Sequence, residues 1–250
     1  MIPKMIHYCW LSGDPFPEKI RRCMDSWRRL MPDYELKLWS LENFDLASAP
    51  AYVQAAVKER KWAFAADYIR VYALYTEGGI YLDSDVEVLR RFDEFLDNAF
   101  FSSMEHHPTQ VERYDDRSMI DAEGRRTGEG YLMGMMIQAA VMGAEAGCPL
   151  LADVLDWYRE HPFEMNGADV QGPISPQIYA RVAERYGFRY RDEDQRLPGR
   201  ITIYRSEVFA GNRHEATRAS AAIHFCAHSW HATLWQRIAA WVKKMKRIKY

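Results

Sequence analysis

The sequence has no acidic residue after Glu215, no CxxC pair among its four cysteines and no apolar run long enough to cross a bilayer. Each absence excludes something. Cys9, Cys23, Cys148 and Cys226 lie far apart, which argues against a zinc ribbon and for the reduced thiols of a cytosolic protein. The start, from Met1 to His7, has no signal-peptide core or cleavage site. The longest mostly apolar stretch, residues 131–144, is interrupted by Gly134, Gln138 and Gly143 and is too short for a membrane span. Neither repeats nor low-complexity tracts occur. An intracellular, cytoplasmic protein without a transmembrane helix is expected.

What is present is ordinary in bulk. Apolar residues make up 48% and charged residues 27%, as in soluble globular chains, and 250 residues suffice for a substantial core. The 8 Trp, 15 Tyr and 11 Phe suit a stacking or carbohydrate-binding site, though aromatics also fill cores.

The net charge of −2 conceals an asymmetry. Beyond Glu215 stand Arg218, Arg237, Lys243, Lys244, Lys246, Arg247 and Lys249, so residues 1–215 carry nine more acidic than basic groups. In residues 234–250 the apolar positions Leu234, Trp235, Ile238, Trp241, Val242, Met245 and Ile248 recur at helical spacing among the cations. Residues 233–250 therefore read as a basic amphipathic C-terminal helix. It suits an anionic membrane surface, worth about 1 kcal/mol per basic residue there. A helix docked on its own domain, or a tail, has the same composition. The acidic body argues against nucleic acid.

Periodicity predicts alternating strands and helices. Strands are expected at residues 4–11, 34–39, 79–88, 99–105, 131–137, 201–204 and 221–225. Helices are expected at 17–30, 51–60, 62–76, 149–160 and 173–186, with a short helix or turn at 92–96. Residues 106–130 are polar and glycine-containing, and read as a long loop or lid. The fold class is α/β, one domain with a mixed central sheet flanked by helices.

The most informative stretch runs from Glu77 to Val88. Ile80, Leu82, Val86 and Val88 share one parity, and Tyr81, Asp83, Asp85 and Glu87 the other, after the turn-forming pair Gly78 and Gly79. A line of carboxylates is costly unless a cation offsets it, and a hard divalent metal does so. A solvated strand edge is the plain alternative. The preceding helix is almost wholly apolar except for Asp67 and Arg70, three apart on one face. They fit an internal ion pair, or a cleft shared with Asp83 and Asp85 in which Arg70 meets a phosphate or sugar hydroxyl.

These pieces form an ordered set. Ile2 to Trp10, then Ala65 to Arg70 running into Gly78 to Asp85, then Ile223 to Trp230 with His224, Cys226 and Ser229, resemble glycosyltransferase family 32 across nearly the whole chain. Its members include bacterial capsule and lipopolysaccharide sugar transferases related to yeast initiating mannosyltransferases, with the clostridial glucosylating toxins as more distant kin. The family commonly has Ser where this chain has Ala66, and its last block varies around Cys226 and His228. The resemblance implies a GT-A fold with a Rossmann-like sheet, residues 1–232 forming the catalytic domain. Residues 1–105 would be its nucleotide-sugar half and 106–232 its acceptor half. It also implies Mn²⁺ or Mg²⁺ on the DxD motif, a nucleotide-sugar donor and a glycan acceptor. By position, Trp10 stacks on the base, Asp67 and Arg70 bind donor sugar and diphosphate, and Tyr81 lies against the nucleotide. Asp83 contacts ribose or sugar, or reaches them through the metal, and Asp85 ligates the metal directly. Ser229 and Trp230 close over the diphosphate. His224 completes the metal site, or is a satisfied core histidine in an apolar strand. Asp83, Asp85 and Arg70 then carry the chemistry, with retention of configuration.

Elementary chemistry agrees. A diphosphate leaving group gains charge as the glycosidic bond breaks, so a metal and nearby donors stabilise the transition state above the ground state. Stacking on Trp10 tolerates UDP and GDP alike. A helix opening near Gln171, Gly172 and Pro173 would aim its N-terminus at the cleft. Two rivals remain: a haloacid-dehalogenase-like phosphohydrolase, whose motif belongs near the N-terminus, and a non-catalytic sugar- or cation-binding module.

Overall fold

The computed structural model describes residues 1–226. The C-terminal helix expected at 233–250, together with Ser229 and Trp230, lies outside the described residues.

Strand β1 (Met5–Cys9) leads through a proline turn to α1 (Glu18–Leu30). Helix α1 buries Ile20, Cys23, Met24 and Trp27, one face at helical spacing, and leaves its charged residues outside. Strand β2 (Glu35–Trp39) returns parallel to β1. Helices α2 (Ala51–Lys58) and α3 (Trp62–Glu77) follow, and α3 ends at Gly78, whose φ of 69° is the left-handed conformation glycine adopts without strain. Strand β3 (Gly79–Leu82) then enters the sheet beside β1. A Cβ on Gly79 would lie 2.8 Å from the Met5 carbonyl oxygen and 3.0 Å from His7 Nε2, so glycine is required there by the close approach of β1.

His7, the polar exception of the first strand, is fully buried and both ring nitrogens are used. Nε2–H donates to the Gly78 carbonyl at 2.8 Å, and Nδ1 accepts from Trp39 Nε1 at 3.0 Å. Burial lowers its pKa, so the ring is neutral and its tautomer fixed. It ties β1, β2 and the α3–β3 turn together.

The acidic strand expected at 79–88 is two strands. The chain turns at Asp83, with Val86 N donating to the Asp83 carbonyl at 3.0 Å, and β4 (Val86–Val88) joins a different sheet. Asp and Ser favour turns, and α1 captures the backbone beyond them. Trp27 Nε1 donates to the Val86 carbonyl at 2.7 Å, and Val88 N donates to Ser26 Oγ at 2.9 Å. The parity survives the turn: Ile80, Leu82, Val86 and Val88 all enter one core cluster, and Tyr81 enters the other.

Strand β5 (Phe100–His106) leads into α4 (Pro108–Arg113), then β6 (Met135–Ile137) pairs back onto β5. Residues 106–130 are thus not a free loop. Asp116 is buried and accepts from Met133 N at 3.0 Å and Gly134 N at 2.6 Å, while Arg126 Nε donates to Glu184 at 2.8 Å. Strand β7 (Val141–Ala144), unexpected from the sequence, lies in the middle of the sheet between β3 and β5. It is buried throughout, so it has no polar alternation to betray it.

Helix α5 (Pro149–Glu160) is followed by an unexpected hairpin, β8 (Glu164–Asn166) and β9 (Asp169–Gln171), turning at Gly167. Helix α6 (Ser175–Ala183) starts later and ends sooner than expected, its last turn tightening to 3₁₀ at residues 184–186. Four short strands close the fold: β10 (Gln195–Leu197), β11 (Ile201–Tyr204), β12 (Phe209–Ala210) and β13 (Ala222–His224).

The main sheet runs β10-β11-β5-β7-β3-β1-β2, with β6 attached to β5. It is mixed, β7 and β10 opposing their neighbours. Helices α2, α3, α5 and α6 cover one face; α1 and the β12-β13-β4 sheet cover the other. Among the described residues no helix is long and apolar enough to cross a membrane. The carboxyl ends of β1 and β3 come together at the edge of these layers, where ligands collect in such sheets.

Candidate active site

Arg70 is the centre of the charged group under that edge. Its Nη2 lies 3.1 Å from Asp67 Oδ1 and 3.2 Å from Asp83 Oδ1, and its Nη1 donates to the Ala139 carbonyl at 2.8 Å. Its guanidinium also lies 4.8 Å from the centre of the Tyr81 ring, and Tyr81 Oη donates to Asp83 Oδ1 at 3.0 Å. Asp67 is thus both an internal partner of Arg70 within α3 and a neighbour of Asp83 through it. The side chains of Arg70 and Asp67 are only 6% and 11% exposed, so the pair forms the floor of the site. Arg70 Nε is buried without a hydrogen-bond partner among the described residues.

Electrostatics follow from burial. Desolvation raises the Asp67 carboxyl to about 6, against the opposing pull of Arg70 and of the Ser175 hydroxyl. Burial works against the Arg70 charge too, but Asp83, Tyr81 and Asp67 outweigh it and hold the guanidinium protonated. The Cys9 thiol, at the end of β1 under Tyr81, is pushed by burial to about 12 and is inert.

Asp83 and Asp85 share a tight turn rather than one strand face. Asp83 N donates to the Ala140 carbonyl at 2.8 Å, and the Asp85 carbonyl accepts from Phe225 N at 3.2 Å. Because β13 runs antiparallel to β4 with His224 opposite Val86, His224 is carried to the turn. Its Nε2 lies 3.3 Å from Asp85 Oδ1 and 3.9 Å from Asp83 Oδ2. One ligand atom from each of the three lies within 4.8 Å of the others. His224 therefore lies beside both aspartates. Burial alone would lower its pKa, but hydrogen bonds to Asp85 and Cys226 prevail and raise it well above the ordinary histidine range. Two carboxylate oxygens and one imidazole nitrogen at this spacing are a donor set suited to a divalent cation.

Trp10 follows β1 directly. Its ring leans on Phe16 with centroids 4.8 Å apart, and its Nε1 donates to the Asp14 carbonyl at 2.6 Å. It is half-buried, at the end of β1 that pairs with β3.

Three groups escaped the sequence reading. Ser175 Oγ donates to Asp67 Oδ1 at 2.9 Å, the Ala139 carbonyl holds Arg70, and Cys226 Sγ lies 3.4 Å from His224 Nδ1. Ser175 left a trace, since the helix expected from Pro173 was to open on the cleft and the first residue of α6 does so, whereas Cys226 stood in the last matched block without a role.

Residues 17–101 match the family model described as a glycosyltransferase sugar-binding region containing a DXD motif. That span holds Asp67, Arg70, Tyr81, Asp83 and Asp85 and leaves out Trp10 and His224. Inositol phosphoceramide mannosyltransferase 3 of Schizosaccharomyces pombe is 35% identical over 115 residues, which is 45% of this chain and 30% of that protein. Inositol phosphoceramide mannosyltransferase 2 of the same yeast is 31% identical over 125 residues, 43% of this chain and 36% of that protein. The chain thus spans about a third of the length of these curated relatives. The solved structure of mouse xyloside xylosyltransferase 1 superposes with a TM-score of 0.52 at 10% identity, over 90% of this chain and 98% of that one. The fold is α/β of the GT-A type, as the resemblance implied. Fold and matched segment together support a glycosyltransferase enzyme of the DXD kind.

Proposed function

We propose that the protein is a metal-dependent hexosyltransferase. It would move a hexose from a UDP- or GDP-sugar to a glycan acceptor with retention of configuration. The observation that carries this reading is the gathering of Asp83, Asp85 and His224 beside the buried Arg70–Asp67 pair. A divalent ion held by these three side chains would supply positive charge to the donor diphosphate as it departs. Everything else falls to the chain. Arg70 and Tyr81 both bind Asp83 Oδ1, which leaves Oδ2 turned toward His224. Ser175 and Arg70 fix Asp67, which is ionised at neutral pH and accepts hydrogen bonds from donor-sugar hydroxyls. Arg70 would lend its charge to a nearby sugar or phosphate oxygen. Trp10 would offer its ring to the base, and Ser229 and Trp230, five and six residues after His224 in the sequence, are the proposed cover for the diphosphate.

No carboxylate is assigned as a nucleophile. Attack from the donor's own face is therefore the proposed course. The acceptor oxygen bonds to the anomeric carbon as the carbon–phosphate oxygen bond breaks, and the acceptor proton passes to that departing oxygen. A glycosyl-enzyme adduct trapped in mass spectrometry would contradict it.

The acceptor is proposed to be a lipid-linked precursor of a surface polysaccharide or lipopolysaccharide, at the cytoplasmic face of the membrane. Two yeast relatives bear names of enzymes acting on a lipid, inositol phosphoceramide, and residues 234–250 have the composition of a membrane-surface helix. Removing residues 235–250 is expected to abolish sedimentation with anionic liposomes while sparing donor hydrolysis; unchanged sedimentation contradicts the membrane role. The enzymatic claim is tested by following nucleotide release from UDP- and GDP-hexoses. Release with Mn²⁺ that stops on adding EDTA supports it; no release from any donor contradicts it.

A further inference from the structure

The proposed metal site has a neighbour that no ligand role explains. Cys226 is the half-buried member of the four cysteines, the others being buried. Its φ of 43° is the left-handed conformation, uncommon for a residue with a Cβ and kept where surroundings enforce it. That bend turns the side chain back onto the histidine two residues earlier. Cys226 Sγ lies 3.4 Å from His224 Nδ1 and 3.8 Å from the Gly211 carbonyl oxygen. The carbonyl is itself held in place, because Gly211 N donates to Glu215 Oε2 at 3.2 Å.

A thiol has one hydrogen to donate and sulfur lone pairs to accept with. The Gly211 oxygen can only accept, so the S–H points there. The sulfur is then free to accept, and the group facing it is His224 Nδ1, which must carry the hydrogen. We propose that Cys226 is a positioning residue for the metal site: it takes the His224 Nδ1–H, relays its own S–H to Gly211, and so leaves Nε2 as the ligand atom facing Asp83 and Asp85. This rests on the metal-dependent reading above. Nδ1 then keeps its hydrogen and its partner whether or not a metal is bound. The ring is thus held in one tautomer and one orientation before any metal arrives. Outer partners of this kind are worth about 10- to 100-fold in metal affinity.

Mn²⁺ affinity of the full chain without nucleotide, read from the free-ion electron paramagnetic resonance signal, tests this. Cys226→Ala is expected to weaken Mn²⁺ by about 10-fold or more with the metal-free melting temperature unchanged, and Cys226→Ser, which retains donor and acceptor, to restore most of the loss. A merely structural cysteine would not show rescue by serine. Unchanged Mn²⁺ affinity in Cys226→Ala overturns the relay and leaves the metal reading standing. Failure of the parent protein to bind Mn²⁺ overturns both. Should the variants not fold, thiomethylation of the half-buried Cys226 thiol with methyl methanethiosulfonate serves instead. Mn²⁺ affinity should fall on modification and return with dithiothreitol, and a modified protein of unaltered affinity overturns the relay.

Discussion

Replacing Asp85 by asparagine is expected to slow sugar transfer by about 10³-fold or more, with the fold intact. Asparagine keeps the shape of the turn, whose backbone contact, Phe225 N to the residue 85 carbonyl, does not involve the side chain. What it removes is one of two negative charges and the carboxylate oxygen 3.3 Å from His224 Nε2. A divalent ion then has one anionic ligand and one imidazole, too little to compete with water for a hard cation. The departing diphosphate loses the charge meant to stabilise it, at the point of the reaction where that charge matters most. Stability should move by no more than about 1 kcal/mol, since the variant relieves a like-charge contact as it loses an ion pair. Rates of nucleotide release and a denaturation curve measure the two effects separately. A variant within tenfold of the parent rate would remove Asp85 from the metal site.

Arg70→Met should have the largest effect on stability, a loss of about 3–5 kcal/mol at pH 8 in urea denaturation, because it strands the buried Asp67 carboxylate and deprives the half-buried Asp83 of its nearest cation. Asp67 would keep the Ser175 hydroxyl and no cation, and Asp83 would keep Tyr81 and the more distant His224. Arg70→Lys should recover only part, since one ammonium cannot reach Asp67, Asp83 and the Ala139 carbonyl as the planar fork does. The cost depends on pH, and its sign is fixed by Asp67. Burial raises that carboxyl to about 6 even with Arg70 present, and its removal raises it further. The folded state then binds more protons than the unfolded one, so stability grows as pH falls. The loss at pH 5 should accordingly be smaller than at pH 8. A pH-independent loss would mean that Asp67 is not the group left uncompensated.

Local pattern revealed much of this arrangement. Asp67 and Arg70 were legible as a pair because helical spacing alone puts them together and an apolar helix does not carry charges idly. The alternation from Ile80 to Val88 disclosed which side chains share a core. It concealed the break in the strand, because the three-residue turn sets Val86 four positions after Leu82 and so preserves parity. The break is the DxD motif itself: Asp, Ser and Asp are turn formers, and their turn is what turns two carboxylates toward one point. Strand β7 was missed for the opposite reason. Buried on both faces, with Gly143 facing Phe101, it offers neither period two nor polar residues. A Cβ on Gly143 would fall 2.1 Å from the Phe101 ring, a constraint visible only once the strands are paired. His224 was ambiguous because its strand is apolar, and its role depends on pairing with β4 far away in sequence. Ser175 and Cys226 owe their places to contacts no local period encodes, one across the domain and one through a left-handed residue.

The central claim is that Asp83, Asp85 and His224 hold a cation that in turn holds a nucleotide diphosphate. The most direct measurement is a melting-temperature screen against UDP and GDP, each with Mn²⁺ and with EDTA, on the parent protein and on Asp85→Asn. Ligand at 100 times its dissociation constant stabilises by about 2.7 kcal/mol, a shift of several degrees or more. The account predicts a shift with one nucleotide that disappears in EDTA and in the variant. A shift that persists in EDTA, or none with either nucleotide, would contradict it.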